Sequence, residues 1–379
     1  MTPKARLIAF HLPQFHPTPE NDAWWGKGFT EWTNVAKARP LFPGHYQPHV
    51  PADLGFYDLR LPEARQAQAD LAREHGVAGF CYYHYWFGGR RMLERPVEAI
   101  LASGEPDFPF CLCWANHSWS TVWQGTSDSL IEQVYPGFDD HAAHFDWLLR
   151  AFSDPRYLRV DGKPIFVIYK PDDVPDIRRV TDFWRERALR AGLPGLYLIG
   201  VSHRSEKWDP RPRGLDASTM QALPNRDGRI PRRYLSTKLR LALQGNKHEL
   251  TIWDYEAILP ILLRSRPVEW SDFPLVLPNW DNTPRSGMRG LVFHGSTPEL
   301  FRGHLREALS RVAERRPDER IVFLKAWNEW AEGNHVEPDL RWGRGYLEVI
   351  RDELAGAVGQ DEQRVGMVGA SRRLVGDTG

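Results

Sequence analysis

The sequence predicts an α/β protein, a single (β/α)8 TIM barrel with long βα loops, and three observations carry that expectation. Eight strand candidates run through the 379 residues, most of them followed by a helical segment, which is the count such a barrel needs. No linker divides the candidates into two groups, as two doubly wound domains would require. Polar residues gather at the C-terminal ends of the strands, where loops can vary above a packed core and where active sites of this architecture lie. The barrel domain is expected over residues 1–355. Residues 356–379, rich in Gly, Arg, Val and Asp without periodicity, are expected to form a disordered tail.

The first strand is RLIAFHLPQFH, from Arg6, a buried run that ends in polar residues. Roughly forty residues without strong periodicity precede the helical LPEARQAQADLAREHG, and loops of that length inside a domain are usually functional. This loop mixes rigid aromatics, turn glycines and hydrogen-bonding groups: Trp24, Trp25, Gly26, Gly28, Glu31, Trp32 and Asn34. A structural loop capping the barrel is the alternative reading. GVAGFCYYHYWF (76–87) is the second strand by its aromatic and β-branched content, with MLERPVEAILASG as its helix. PFCLCWANHSWS (109–120) is the third, closing on Asn116, His117 and Trp119, and a helix at 139–151 follows.

KPIFVIYKP with a helix at 177–191, LYLIGVSH with a short irregular link, and LDASTMQALP supply strands four to six. After an insertion, FPLVLPNWDNTPR is the seventh strand, with a helix at 298–314. IVFLKAWNEW opens the eighth unit, whose helix is 345–354. The strand ends then present Gln14 and His16, His84 and Tyr85, Asn116 and His117, Tyr169 and Lys170, Ser202 and His203, Gln221, Asn279 and Asp281, and Asn328 and Glu329 to one rim.

The eighth unit, IVFLKAWNEWAEGNHVEP (321–338), turns abruptly from apolar residues to carboxylates and aromatics. Read with a period of two, Val322, Leu324 and Ala326 share one face and Phe323, Lys325, Trp327 and Glu329 the other. A charge at a buried strand end needs a partner or a task. Glu332 follows where Gly333 marks a loop, so two carboxyls share one mouth. Paired carboxyls whose environments push their pKa values apart are what glycosidic-bond chemistry requires, one as acid and one as base or nucleophile. A salt-bridged strand end with helix-capping glutamates is the structural alternative.

Composition narrows the classes. Forty-nine basic residues balance forty-nine acidic ones, which argues against a general nucleic-acid footprint. One local exception is the insertion before strand seven, 225–247, which carries seven Arg and Lys between Arg226 and Lys247 against Asp227 alone; it is either a solvated face or a site for a phosphate or acidic sugar. Cys81, Cys111 and Cys113 lie in apolar runs and are expected to be free thiols in a reducing compartment. The apolar run 7–10 is too short for a signal peptide or membrane span, so a cytoplasmic protein without an integral membrane segment is expected. No glycine-rich phosphate loop follows a strand, no H-E-x-x-H spacing appears and no G-x-S-x-G is present. Neither a cofactor nor a catalytic metal is therefore expected, and His335 with Glu337 is read as a lone pair.

Of sixteen tryptophans, Trp24, Trp25, Trp32, Trp86, Trp119, Trp123, Trp280, Trp327 and Trp330 lie at strand ends or in the loops after them, which favours a binding surface. Sugar rings stack flat C–H faces on indole while their hydroxyls bond to Asn, Asp, His and Glu, so the pattern suits a carbohydrate cleft. The expected substrate-binding residues are Trp25, Glu31, Trp32, His84, Tyr85, Trp86, Asn116, Trp119, Asn279, Trp280, Asp281, Trp327 and Glu337. The expected catalytic pair is Glu329 and Glu332.

Four strings occur in order, PQFHPTPENDAWWGKGFTEWTNV (13–35), GFCYYHYWF (79–87), LPNWDNTPR (277–285) and AWNEWAEGNHVEPD (326–339), and through them the chain resembles the WbsX-type proteins. That group is similar to glycoside hydrolase family 99, the endo-α-1,2-mannosidases, which are (β/α)8 barrels. The resemblance implies work on O-antigen or other surface polysaccharide, under the label of glycosyltransferase for one group and glycan cleavage for the other. Family 99 carries its chemistry on a motif resembling NEWHEG, matched here by Asn328, Glu329, Trp330, Glu332 and Gly333, with Ala331 in place of the histidine. Carried over, Glu329 assists the substrate's own 2-hydroxyl as internal nucleophile, through a 1,2-anhydro sugar, and Glu332 is acid and base at the leaving oxygen. The expected function is thus retaining cleavage or transfer of glycosidic bonds in a surface polysaccharide or its precursor, with an oligosaccharide or polysaccharide as partner. A sugar-nucleotide-dependent glycosyltransferase and a non-catalytic glycan-binding barrel are the alternatives.

Overall fold

The computed structural model describes residues 3–120, 129–203, 207–221, 223, 250–264 and 267–355. The basic insertion 225–247, Trp123 and the tail 356–379 lie outside the described residues. Eight parallel strands form the ring: β1 (Arg6–His11), β2 (Gly79–Phe87), β3 (Phe110–Trp114), β4 (Lys163–Ile168), β5 (Tyr197–His203), β6 (Ala217–Gln221), β7 in two pieces (Ser271–Phe273 and Leu275–Val276) and β8 (Ile321–Leu324). Each pairs with its neighbour in chain order, and β1 meets β8 with Ile8 opposite Phe323.

The ring closes through β7. Ser271–Phe273 pairs with β6, and Leu275–Val276 pairs with β8. Pro274 separates the two pieces; proline has no N–H to give a ladder, but its carbonyl still accepts from Phe323 N at 2.9 Å.

Among the described residues seven helices wrap the ring: α1 (Pro62–Glu74), α2 (Arg95–Ser103), α3 (Phe138–Phe152), α4 (Ile177–Arg190), α5 (Tyr255–Leu262), α6 (Pro298–Ser310) and α7 (Gly345–Ala355). Between β5 and β6 the described residues hold a single 3-10 turn at Arg211–Arg213, the short irregular link expected there. Two features were not legible in the periodicity. The long loop after β1 contains helices at Pro19–Trp25 and Glu31–Lys37, each of seven residues and too short to impose a 3.6-residue pattern. Thr18 caps the first by accepting from Asn21 N at 3.1 Å. A second parallel pair, Thr251–Asp254 with Leu291–His294, lies outside the ring.

The strands are buried on both faces, which is why they read as near-continuous apolar runs. Alternate side chains fill the barrel and the layer under the helices. Inside, Phe10 stacks on Tyr83 at 5.5 Å and meets Phe323 at 5.4 Å, with Phe273 completing the group. Outside, His11 bonds Gln68 of α1 at 3.1 Å, and His84 stacks on Trp147 of α3 at 4.5 Å. Cys81, Cys111 and Cys113 are buried free thiols.

One expectation about β8 is corrected. The strand ends at Leu324, so strict alternation does not continue to Glu329. Lys325 lies over Tyr83, inside the ring, whereas Trp327 packs 5.1 Å from Phe80, which touches Phe108 and His11 in the outer layer. Trp327 is fully buried and is a packing residue. Trp327→Ala is accordingly expected to destabilise the fold by about 3–5 kcal/mol, the usual loss for a large buried aromatic. Chemical denaturation measures this, and an unchanged midpoint would show that the ring is not part of the core.

Candidate active site

Glu329 and Glu332 stand on a tight hairpin that leaves the C-terminal end of β8. Asn328 and Glu329 pair antiparallel with His335 and Asn334, and a 3-10 turn at Trp330–Glu332 reverses the chain. Gly333 completes the turn with φ of +56°, and a Cβ there would lie 2.9 Å from Asp281 Cβ, so the position needs glycine on both counts. Asn328 anchors the hairpin to β1, accepting from Leu12 N at 2.7 Å and donating to Leu12 O at 3.0 Å.

Both carboxyls are almost entirely buried, and both are held by Arg285, from the loop after β7. Its guanidinium gives Nη1 to Glu332 Oε1 at 2.6 Å, Nη2 to Glu329 Oε2 at 3.2 Å and Nε to Glu31 Oε1 at 2.8 Å. Glu31 is delivered by the helix Glu31–Lys37, where Asn34 Nδ2 also donates to it at 3.4 Å. Lys325 Nζ lies 3.7 Å from Glu329 Oε1 and donates to the Tyr83 hydroxyl at 2.9 Å.

The cluster thus has three carboxyls and two cations, one negative charge in excess. Burial and the neighbouring Glu329 charge push the Glu332 carboxyl up to about 7, against the downward pull of Arg285 and Lys325. Burial works to discharge Lys325, but Glu329, Tyr169 and Glu332 outweigh it and raise its pKa. Arg285 is likewise opposed by burial and raised well above its usual value by Glu31, Glu332 and Glu329. One carboxyl is therefore poised to carry a proton beside another fixed between two cations, a division that suits acid–base work.

These groups open into a cleft of about 630 Å³. The structure brings Trp25, Glu31, Tyr85, Trp119 and Trp280 together on its walls with Glu329 and Glu332. Tyr85 meets Trp119 edge-on at 5.0 Å, and Trp25 lies 5.8 Å from Phe29 across the mouth loop. Tyr83, His117, Tyr169, Gln221, Arg285 and Lys325 line the same cleft. Tyr169 and Gln221 stand on the rim that the strand ends define, joined by a 3.2 Å hydrogen bond. Arg285, which closes the string 277–285, and Lys325, which the period of two puts on the face of Glu329, were not among the expected site residues.

The other expected contacts point elsewhere, each for a visible reason. Along β2, Tyr83 and Tyr85 face inward, so His84 and Trp86 face the helices: His84 bonds His144 at 2.9 Å and Trp86 Nε1 donates to Asp140 at 3.0 Å. Applying the period of two within GFCYYHYWF separates these pairs. Asn116 is buried, exchanging hydrogen bonds with the backbone of Lys170 at 2.8 and 2.7 Å to tie β3 to β4. Trp32 donates to Tyr57 O at 2.8 Å and packs on Trp330. Glu337 accepts from Gln68, Tyr57 and Trp330 at 2.6–2.8 Å, and burial raises its carboxyl to about 7. Asp281 is saturated by His45, Gln47 and Thr283, and with Asn279 it lines a second cavity of about 110 Å³ beyond the hairpin.

Among the described residues no helix is long and apolar enough to cross a membrane. A family model described as glycosyltransferase WbsX matches residues 7–350. The uncharacterized protein WxcX of Xanthomonas campestris pv. campestris (strain B100) is 40% identical over 356 residues, which cover 93% of this chain and 50% of that protein. The chain thus spans about half the length of the curated relatives it matches, at 50% in both strains. Among solved structures, the GH99 endo-alpha-mannosidase from Bacteroides thetaiotaomicron superposes with a TM-score of 0.54 at 15% identity, over 97% of this chain and 100% of that one. A glycoside hydrolase-like protein does so with a TM-score of 0.54 at 18% identity, over 92% and 94%. At such identities the likeness is one of fold, the same (β/α)8 barrel. With its family match running from β1 into α7, the chain belongs to the glycosyltransferase WbsX family.

Proposed function

We propose that the chain breaks or transfers glycosidic bonds, with retention, in a surface polysaccharide of the O-antigen kind or in its oligosaccharide precursor. The observation that carries the reading is the pair of buried carboxyls on one hairpin, Glu332 pushed up to about 7 and Glu329 between Lys325 and Arg285. Aromatic walls beside them supply faces on which sugar rings stack. The fold shared with an endo-alpha-mannosidase supports the same chemistry. The buried free thiols support a reducing, cytoplasmic setting.

The steps follow from the two environments. The substrate's 2-hydroxyl gives its proton to Glu329 as O2 bonds to C1, and Glu332 gives its proton to the departing glycosidic oxygen. A 1,2-anhydro sugar results. An acceptor hydroxyl then loses its proton to Glu332 as it bonds to C1, the O2–C1 bond breaks, and Glu329 returns its proton to O2. Water as acceptor gives hydrolysis, and a sugar hydroxyl gives transfer, which the family's description favours. Product analysis on defined α-mannosides, with and without a sugar acceptor, and on sugar nucleotides distinguishes these outcomes; turnover of a sugar nucleotide alone would replace the proposed mechanism.

The acid must hold its proton, so kcat/KM on a natural leaving group is expected to fall as pH rises through about 7, where Glu332 ionises. Arg285 favours the ionised form, so Arg285→Gln is expected to move this alkaline limb to higher pH while lowering the maximum. A limb that stays put or moves down would assign it to another group.

Leaving-group dependence separates the glutamates. Glu332→Gln is expected to cost roughly 10²- to 10⁴-fold on a natural leaving group and to be nearly silent in the departure step of an activated aryl glycoside. Glu329→Gln is expected to be slow on both, because the nucleophile must be activated whichever group leaves. Equal losses for both variants on both substrates, with the fold intact, would overturn the division of roles.

A further inference from the structure

The second cavity, on the far side of the hairpin from the cleft, holds a side-chain group that the proposed chemistry does not use. His49, His335 and Asp339 are buried, and their ligand atoms lie within 4.8 Å of one another. His49 Nδ1 is 2.8 Å from His335 Nε2, and Asp339 Oδ2 is 4.0 Å from each. We propose that these three side chains bind a divalent transition-metal ion of the zinc type, which fastens the loop after β1 to the loop after β8.

The ligand atoms converge for it: in the metal-free pair His49 Nδ1 donates to His335 Nε2, and the other neutral tautomer of His49 frees Nδ1 for the ion. His335 Nδ1 lies 2.9 Å from the Glu337 carbonyl, which can only accept, so Nδ1 carries the proton and Nε2 presents a bare lone pair toward His49. Asp339 Oδ1 accepts from Arg341 N at 2.9 Å and Trp342 N at 2.6 Å, which fixes the carboxylate and turns Oδ2 to the imidazoles. Trp330 stacks on His335 at 3.7 Å and holds the ring's plane.

Size and charge fit as well. Bonds of 2.0–2.1 Å to a tetrahedral ion place ligand atoms about 3.3 Å apart, between the 2.8 and 4.0 Å found here. Two imidazoles and a single carboxylate oxygen suit zinc and its neighbours rather than calcium or magnesium, which take oxygen ligands. Asp281, buried beside His45 at 2.7 Å on the wall of the same cavity, adds a second carboxylate to balance a double positive charge. The adjoining cavity of about 110 Å³ has room for a water in the fourth position, and Asn279 Oδ1, on its wall, is buried with no hydrogen-bond partner among the described residues. The site does not depend on the proposed reaction, since none of its ligands lines the cleft.

The test uses the full chain, stripped with a chelator, desalted, equilibrated with Zn²⁺ and separated from free ion. Metal analysis is expected to find a single ion retained per chain, held at least about tenfold more weakly by His49→Gln and by Asp339→Asn. The wild-type chain loaded with Co²⁺ is expected to show the visible absorption of a four-coordinate site and imidazole scattering at the metal's X-ray edge. That second readout stands where a variant does not fold. No ion retained by the wild-type chain, equal affinity in both folded variants, or a Co²⁺ site without imidazole would each overturn the proposal and leave His49 and His335 as a hydrogen-bonded pair.

Discussion

The site depends on one cation bridging three carboxylates that come from two distant loops. Arg285 reaches from the β7 loop to Glu31 after β1 and to Glu329 and Glu332 after β8, with contacts of 2.6–3.2 Å. Desolvating these four groups is unfavourable, and the arrangement persists because each charge finds its partner. Removing the guanidinium leaves three buried carboxyls with Lys325 alone, and uncompensated charges of this kind typically cost about 3–5 kcal/mol. The same contacts bear on the proton of Glu332, which Arg285 draws toward release against burial and the Glu329 charge. Architecture and acid–base chemistry therefore share a single set of bonds.

The fold was legible because barrel strands are covered on both faces. Runs such as FCLCW and KPIFVI have no polar face to blur them, and glycines, prolines and helical segments punctuate the intervals. What escaped was either short or non-local. The two seven-residue helices after β1 complete too few turns to show a period, and the strand pair 251–254 with 291–294 joins segments that carry no signal of each other.

The site was partly legible for a related reason. The carboxyls at 329 and 332 stand out where an apolar run breaks, so spacing alone brings them to the end of β8. Their cations do not stand out: Arg285 is one of forty-nine basic residues, and its pairing with Glu31 spans 254 positions. Aromatics and histidines were harder still, because a tryptophan at a strand end can face either way. Trp280 turns to the cleft and Trp327, outside the strand's alternation, turns to the helices. His84 and Trp86 differ from Tyr83 and Tyr85 by one position and one face.

The divided strand β7 bears on how the barrel opens. β2 and β3 are joined over five residue pairs, and β5 and β6 over five, whereas β7 holds β6 through three and β8 through two, on opposite sides of Pro274. Backbone pairing is thus thinnest where β7 meets β8, so the amides of that seam are the ones local fluctuation frees first. Trp280 and Arg285 both follow directly from it. The strand that delivers the central cation is the one the ring grips least, and the carboxylates beyond its end act as the clasp.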